Sequence, residues 1–295
     1  MGGLLYVVAT PIGNLADVTL RALEVLRAVP LIAAEDTRLT RRLLDRHGVA
    51  TRQVSFHARN AAARLPELLA HLRAGADLAV VTDAGTPGVS DPGEELVSAW
   101  AAEGGTVVPI PGPSAVLAAV VGSAVAGPRW SFEGFLPRSG RERRERVARL
   151  AADGRATVLF EAPGRVAGTL RDLATACGPD RPAAVCRELT KIHEEFVRAT
   201  LGELAERART GGLTLRGEFV IVVGARQGGH EEAAVAGPSA DATGAAGGGA
   251  TSLDAALAEV ERLVAGGAGR SEAVRTVAAA TGLPRRRLYV VPDRG

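Results

Sequence analysis

Short apolar runs alternate with amphipathic stretches through the first part of the chain. Leu4 to Ala9, Leu31 to Ala34, Gln53 to His57, Leu78 to Thr82 and Thr106 to Ile110 read as strands, each bounded by turn residues. Between them lie stretches with helical spacing. Asp17 is expected to cap a helix carrying Val18, Ala22, Val25 and Val29 on one face, with Pro30 ending it. Further helices are expected after Arg38, over Ala61 to Ala74 and over Glu94 to Glu103, with Asp91 capping the last and Pro92 in its first turn. Strands alternating with helices of this length predict βαβ units and a mostly parallel sheet.

The texture changes after an Ala-Val helix that starts near Ser114. Trp130 to Leu136 (WSFEGFL) alternates aromatic and polar residues, and SGRERRERVARL follows it. Strands are expected at Thr157 to Glu161, Ala183 to Leu189 and Glu218 to Val223, with a helix to Ala176 and a short helix through Arg209. Several of these strands run close together, so a mixed sheet and a second α/β domain are predicted. The division is 1–115, an α/β domain; 116–225, a second α/β domain; 226–252, a flexible linker; and 253–295, a small helical domain. The linker reading rests on Gly, Ala and Ser with few large apolar side chains. The tail reads as helices at Leu253 to Ala265 and Ser271 to Thr281, then an Arg cluster. A helix-turn-helix and a tail packed on the body are both compatible with it.

Composition narrows the chemistry. With 295 residues, 46% of them apolar, and a formal charge of +2, the chain can fill two cores but has no strong general field for nucleic acid. Any such contact has to be local. Lys191 is the one lysine among 35 basic residues. Cys177 and Cys186 make no disulfide framework, and with His193 they match no zinc spacing, so no metal is expected. No apolar run reaches the ~20 residues of a membrane span, and the amino terminus lacks a basic signal region. A soluble cytoplasmic protein is expected.

Four loops leave strand ends: Thr10 to Leu15, Glu35 to Arg38, Asp83 to Gly93 and Pro111 to Ser114. In a parallel sheet these ends share one edge and can line one cleft. Neither G-x-G-x-x-G after a strand nor G-x-x-x-x-G-K-[ST] occurs, which argues against the usual dinucleotide and triphosphate loops.

The segments VVATPIGNLADVTLRALEVL, IAAEDTR, VTDAGTPGVSDPG, IPGPSA, FEGFLPR, LFEAPGRV, RELTKIHEE and GEFVIVVG follow one another in this order. Together they resemble the bacterial 16S ribosomal RNA cytidine 2′-O-methyltransferases (small-subunit methyltransferase I). That family is a branch of the tetrapyrrole methylase fold, the class III S-adenosylmethionine enzymes. The resemblance runs from about Leu4 to Ala225. It implies two α/β domains with S-adenosylmethionine in the cleft between them, a homodimer, and 16S rRNA in the 30S subunit as partner, with no DNA and no membrane. It places Pro11, Asp83, Ala84, Gly85, Ser114, Ala115 and Phe160 at the cofactor. Thr82-Asp83-Ala84 stands where other members of the fold have Gly-Asp-Pro.

Lys191 is the first catalytic candidate, because a desolvated lysine can have a lowered pKa or stabilise an oxyanion; its alternative is an ion pair with Glu194 or Glu195. Glu35 and Asp36 are the others, with an Arg38 ion pair or a helix cap as the alternative. RNA contact is expected from Arg38, Arg41, Arg42 and Arg46. A second cluster, Arg138, Arg141, Arg143, Arg144 and Arg146, lies beside Trp130, Phe132 and Phe135, although such runs also serve as solvated helix faces. Methylation of a small tetrapyrrole, or S-adenosylmethionine binding by an RNA assembly factor without turnover, are the competing readings.

Overall fold

The apolar runs of the first half form five strands, β1 (Leu5–Val8), β2 (Leu31–Ala34), β3 (Gln53–Ser55), β4 (Leu78–Val81) and β5 (Val107–Ile110). A computed structural model describes residues 2–226, 253–281 and 283–289. The strands pair in the order β3-β2-β4-β1-β5, all parallel. Helices α1 (Leu20–Ala28), α2 (Thr37–Arg46), α3 (Ala61–Arg73) and α4 (Glu94–Ala102) connect them. Every residue of β2 and β4 is buried, because helices cover both faces. Leu5, Leu31, Leu78 and Val80 point to Leu68 and Leu72 of α3 and Trp100 of α4. Val8, Ile32, Ala79 and Val81 point to Leu26 of α1 and Leu44 of α2.

Two caps differ from expectation. Thr19, and not Asp17, caps α1 by accepting the Ala22 amide, while Asn14 caps the short turn at Leu15–Asp17. Gly93 precedes α4 and no side chain caps it, so Asp91 is free for another role.

Helix α5 (Ala115–Ser123) follows β5 and covers the second sheet. That sheet is built from β6 (Trp130–Phe135), β7 (Ala156–Glu161), β8 (Pro182–Arg187), β9 (Glu195–Thr200) and β10 (Phe219–Val223), in the order β6-β7-β10-β8-β9. It is mixed: β6 and β7 are parallel and the remaining pairs antiparallel. Strand β9 was not expected from the sequence. It forms a hairpin with β8, and its Arg198 donates to the Gly122 and Ser123 carbonyls at the end of α5. Helices α6 (Gly140–Ala152), α7 (Val166–Cys177) and α8 (Leu201–Thr210) pack on the face opposite α5, through Val147, Leu150, Leu170, Leu173 and Leu204.

The chain divides into two compact units, 1–233 and 234–295. Both sheets lie in the first. In the second, α9 (Leu253–Ala265), α10 (Arg270–Thr281) and α11 (Arg285–Leu288) close on Ala256, Val260, Val274, Val277 and Leu288. Residues 227–252 of the expected linker lie outside the described residues. Among the described residues no helix is long and apolar enough to cross a membrane.

One contact tests the packing of the first sheet. Trp100 is 4% exposed, and a Cβ on Gly105 would stand 2.1 Å from its indole ring. Gly105→Ala is expected to cost about 1–3 kcal/mol, the usual range for overpacking, while Gly154→Ala, with nothing within 4 Å of the added carbon, leaves the denaturation midpoint in place. Equal midpoints for the two variants would refute the contact.

Candidate active site between the two sheets

Adjacent parallel strands deliver their following loops side by side, and here the loops after β1 and β4 are fastened together. The Thr10 amide donates to the Gly85 carbonyl at 2.8 Å, and the Gly85 amide returns a bond to Thr10 at 3.0 Å. The Thr10 hydroxyl adds a bond to the Thr82 carbonyl at 3.0 Å. Gly85 has φ +81°, a conformation that disfavours any residue with a Cβ. The same first loop reaches the second sheet: the Asn14 amide donates to Thr190 Oγ1 at 3.1 Å, and Gly13 is so close to Lys191 that a Cβ would meet its Cγ at 2.4 Å.

Between these loops and the second sheet lies a cavity of about 320 Å³. Ile12, Ala84, Gly85, Thr86, Val89, Ser90, Asp91, Ser114 and Ala115 line it from one side. Phe135, Phe160, Glu161, Ala162, Pro163, Leu189, Gly217 and Glu218 line it from the other. Its wall is mainly apolar with a few carboxylates and backbone groups, the usual make-up of a small-molecule site. Of the residues expected at the cofactor, Ala84, Gly85, Ser114, Ala115 and Phe160 line it. Pro11 is buried and its neighbour Ile12 takes the wall position instead.

Asp83 also turns away from the cavity. Its Oδ1 accepts the Asp36 amide at 2.9 Å, and its own amide donates to Glu35 Oε2 at 3.2 Å. Burial raises the pKa of both Glu35 and Asp83; the Asp83 amide pulls Glu35 back while the Asp83 charge adds to its rise, and for Asp83 the Asp36 amide and the Asp36 charge act in the same opposed way. Asp36 does what its alternative reading proposed. It caps α2 by accepting the Arg38 amide and pairs with the Arg38 guanidinium at 2.6 Å, which holds its pKa well below the usual carboxylate range. Neither Glu35 nor Asp36 lines the cavity. Of the acids in the strand-end loops of the first sheet, Asp91 does, pushed up to about 6 by burial and by the charges of Glu35 and Asp83. Sequence reasoning missed Asp91 by assigning it to a helix cap; the signal available was a second acid in a loop already carrying Asp83.

Lys191 pairs with Glu188 Oε1 at 3.0 Å and Glu218 Oε2 at 2.9 Å, not with Glu194 or Glu195. Burial alone would lower its pKa, but the bonds to Glu218 and Glu188 outweigh it and the net shift is upward, against the expected lowering. Glu188 also accepts the Glu218 amide at 2.9 Å, so Lys191 and the Gly217–Glu218 wall of the cavity are bonded to the same carboxylate. The loop is strained, with Glu188 at φ +51° and Thr190 at φ +67°, the latter unusual for a β-branched residue.

The arginine cluster of α6 divides by helical face. Arg143 donates to Asp172, Thr169 and the Pro137 carbonyl, and Arg146 to Glu133, because both share the side of α6 that carries Val147 and Leu150. Arg138, Arg141 and Arg144 face outward, Arg141 paired with Glu145. Arg38, Arg41 and Arg42 are exposed on α2, where Arg41 lies 3.8 Å from Asp45.

Asp91 yields a test. A carboxyl whose native pKa is raised destabilises the fold once ionised, so its cost is absent at low pH and develops as pH rises toward and past about 6. Asp91→Asn is therefore expected to raise the thermal midpoint by a few degrees at pH 8 and to leave it unchanged near pH 4. A midpoint difference that grows on acidification would contradict this.

Known proteins resemble this chain in sequence and in fold. The model of the tetrapyrrole (corrin/porphyrin) methylases matches residues 4–205. The chain is 45% identical over 287 residues to the ribosomal RNA small subunit methyltransferase I of Synechocystis, covering 97% of this chain and 96% of that one. It is 42% identical over 291 residues to the protein of the same name from Mycobacterium bovis, covering 97% and 93%. Among solved structures, the uroporphyrin-III C-methyltransferase of Thermus thermophilus with S-adenosyl homocysteine superposes with a TM-score of 0.55 at 21% identity, over 75% of this chain and 97% of that one. At that identity the likeness shows the fold. The chain belongs to the tetrapyrrole (corrin/porphyrin) methylase family, and within it to the group whose members carry the name ribosomal RNA small subunit methyltransferase I.

Proposed function

We propose that the protein methylates ribosomal RNA of the small subunit with S-adenosylmethionine, and that its target is the ribose 2′-oxygen of a cytidine in 16S rRNA, presented by the 30S subunit in the cytoplasm to a homodimer. The observation that carries the reading is the identity to proteins of that name across nearly the whole chain, both sheets and the tail included. The cavity fits the cofactor. Phe160 offers a ring face, Ala84, Gly85, Ser114 and Ala115 offer backbone groups and little bulk, and Asp91 and Glu218 offer carboxylates for hydroxyl or cationic groups.

The cofactor, when bound, supplies an already activated sulfonium methyl group. What remains for the protein is to hold the ribose oxygen in line with the S–C bond and to keep water out. The apolar wall of Ile12, Val89, Phe160 and Leu189 does the second. As the ribose oxygen bonds to the methyl carbon and the S–C bond breaks, the hydroxyl gives up its proton to water or a nearby carboxylate, and a nearby cation stabilises the developing oxyanion. Lys191, anchored beside Glu218 at the cavity, supplies the cation, while Glu35 and Asp83 set the field felt at Asp91.

The activity is tested by incubating the protein with labelled S-adenosylmethionine and 30S subunits, naked rRNA or uroporphyrinogen. Label on a cytidine ribose of 30S rRNA is expected. Label confined to uroporphyrinogen, or to a base, would overturn the reading. Lys191→Ala is expected to keep cofactor binding and to lower turnover by about 100-fold, the scale of losing one charge-stabilising donor. An unchanged rate would remove Lys191 from the reaction.

A further inference from the structure

Strand β6 contains a fault that the rest of the second sheet lacks. Its pairing with β7 runs from Trp130 opposite Ala156 to Phe132 opposite Val158, and then resumes with Gly134 opposite Leu159 and Phe135 opposite Phe160. Glu133 is the extra residue of a bulge. In a regular strand Phe132 and Phe135, three positions apart, would point to opposite faces. The bulge brings both to the same ring. Phe132 stands edge-on to Phe160 at 4.9 Å between centroids, and Phe135 lies tilted against it at 5.6 Å.

The bulge depends on Gly134, whose φ of +61° suits glycine and whose added Cβ would lie 2.9 Å from Ser90 Oγ in the facing loop. Bulges cost ladder pairing and recur where a side chain has to be re-aimed beside a site. Here the re-aimed ring gains little burial, since Phe135 remains 52% exposed while lining the cavity. A lone exposed phenylalanine would mean nothing, but this one is aimed by a special backbone and held from behind. The residues after it are fixed as well: Arg165 donates to the Leu136 carbonyl at 2.6 Å and Arg143 to the Pro137 carbonyl at 3.0 Å. Beyond them Arg138, Arg141 and Arg144 are exposed. A rigid aromatic face at the opening of a methyltransferase cavity, followed by outward cations, matches an unstacked nucleotide with its phosphates.

We propose that Phe135 is a positioning residue on which the base of the target nucleotide stacks, so that its ribose is presented to the cavity. The inference rests on the RNA reading above and deepens it. Stacking requires a π face and not merely volume, so the substitutions separate it from a packing role.

With 30S subunits as substrate, Phe135→Ala is expected to lower kcat/KM by about 10- to 100-fold. Phe135→Leu, which keeps bulk and loses the ring, is expected to fall with it, whereas Phe135→Tyr and Phe135→Trp stay within a few-fold of the parent. Calorimetric binding of S-adenosylmethionine and the mass in solution by light scattering are expected to be the same for parent and Ala variant. A fully active Leu variant would overturn the platform, as would an Ala variant with parental kcat/KM. A loss of cofactor affinity would reassign the ring to the cofactor, and a change of mass would reassign it to a subunit interface. No transfer by the parent protein to 30S rRNA would strike the activity itself, whereas equal transfer by parent and Ala variant would strike the platform alone.

Discussion

The bridge between Thr10 and Gly85 is the constraint from which the site follows. Two amide bonds, each worth about 0.5–1.5 kcal/mol net, close the ends of β1 and β4 onto each other and use up backbone groups that a ligand would otherwise meet. What remains exposed to the cavity is the Ile12 side chain and the small Ala84-Gly85 surface. The same loop runs on to Asn14 and Thr190, so one short segment ties the parallel sheet to the mixed one.

The acids at the end of β2 and β4 express a different balance. Glu35 and Asp83 bond each other's loops through backbone amides, which is structurally useful, yet their charges crowd Asp91. An arrangement chosen for stability would separate them. A cavity intended for a cationic ligand gains from the crowding, and such local conflict between stability and function is expected at sites.

Much of this was legible in the residues. The parallel order of βαβ units follows from β2 and β4, whose uninterrupted apolar runs admit helices on both faces. The loops that carry Ala84, Gly85 and Ser114 were legible because strand ends predict where ligands lie, while the choice of Ala84, Gly85, Ser114 and Ala115 came from the family resemblance. Three things were not. Strand β9 hides in EFVRAT, where Glu195 and Arg198 interrupt the apolar pattern because each serves an ion pair or a carbonyl. Asp91 has the residue type and spacing of a cap, and only its turn toward the cavity shows otherwise. Phe135 sits out of phase with Trp130 and Phe132, and alternation cannot reveal a bulge that restores it; Gly134 in mid-strand was the visible sign. Arg143 and Arg146, by contrast, could have been separated from Arg141 and Arg144 by counting helical turns to Val147 and Leu150.

The clamp around Lys191 has a practical side. The protein carries one lysine, and its ammonium is held by Glu188 and Glu218 with its stem against Gly13. An amine-acylating reagent therefore finds a single side-chain target, protected as long as the loop is folded around it. The chain comes with its own covalent reporter bonded to a residue of the cavity wall, and no label has to be engineered in.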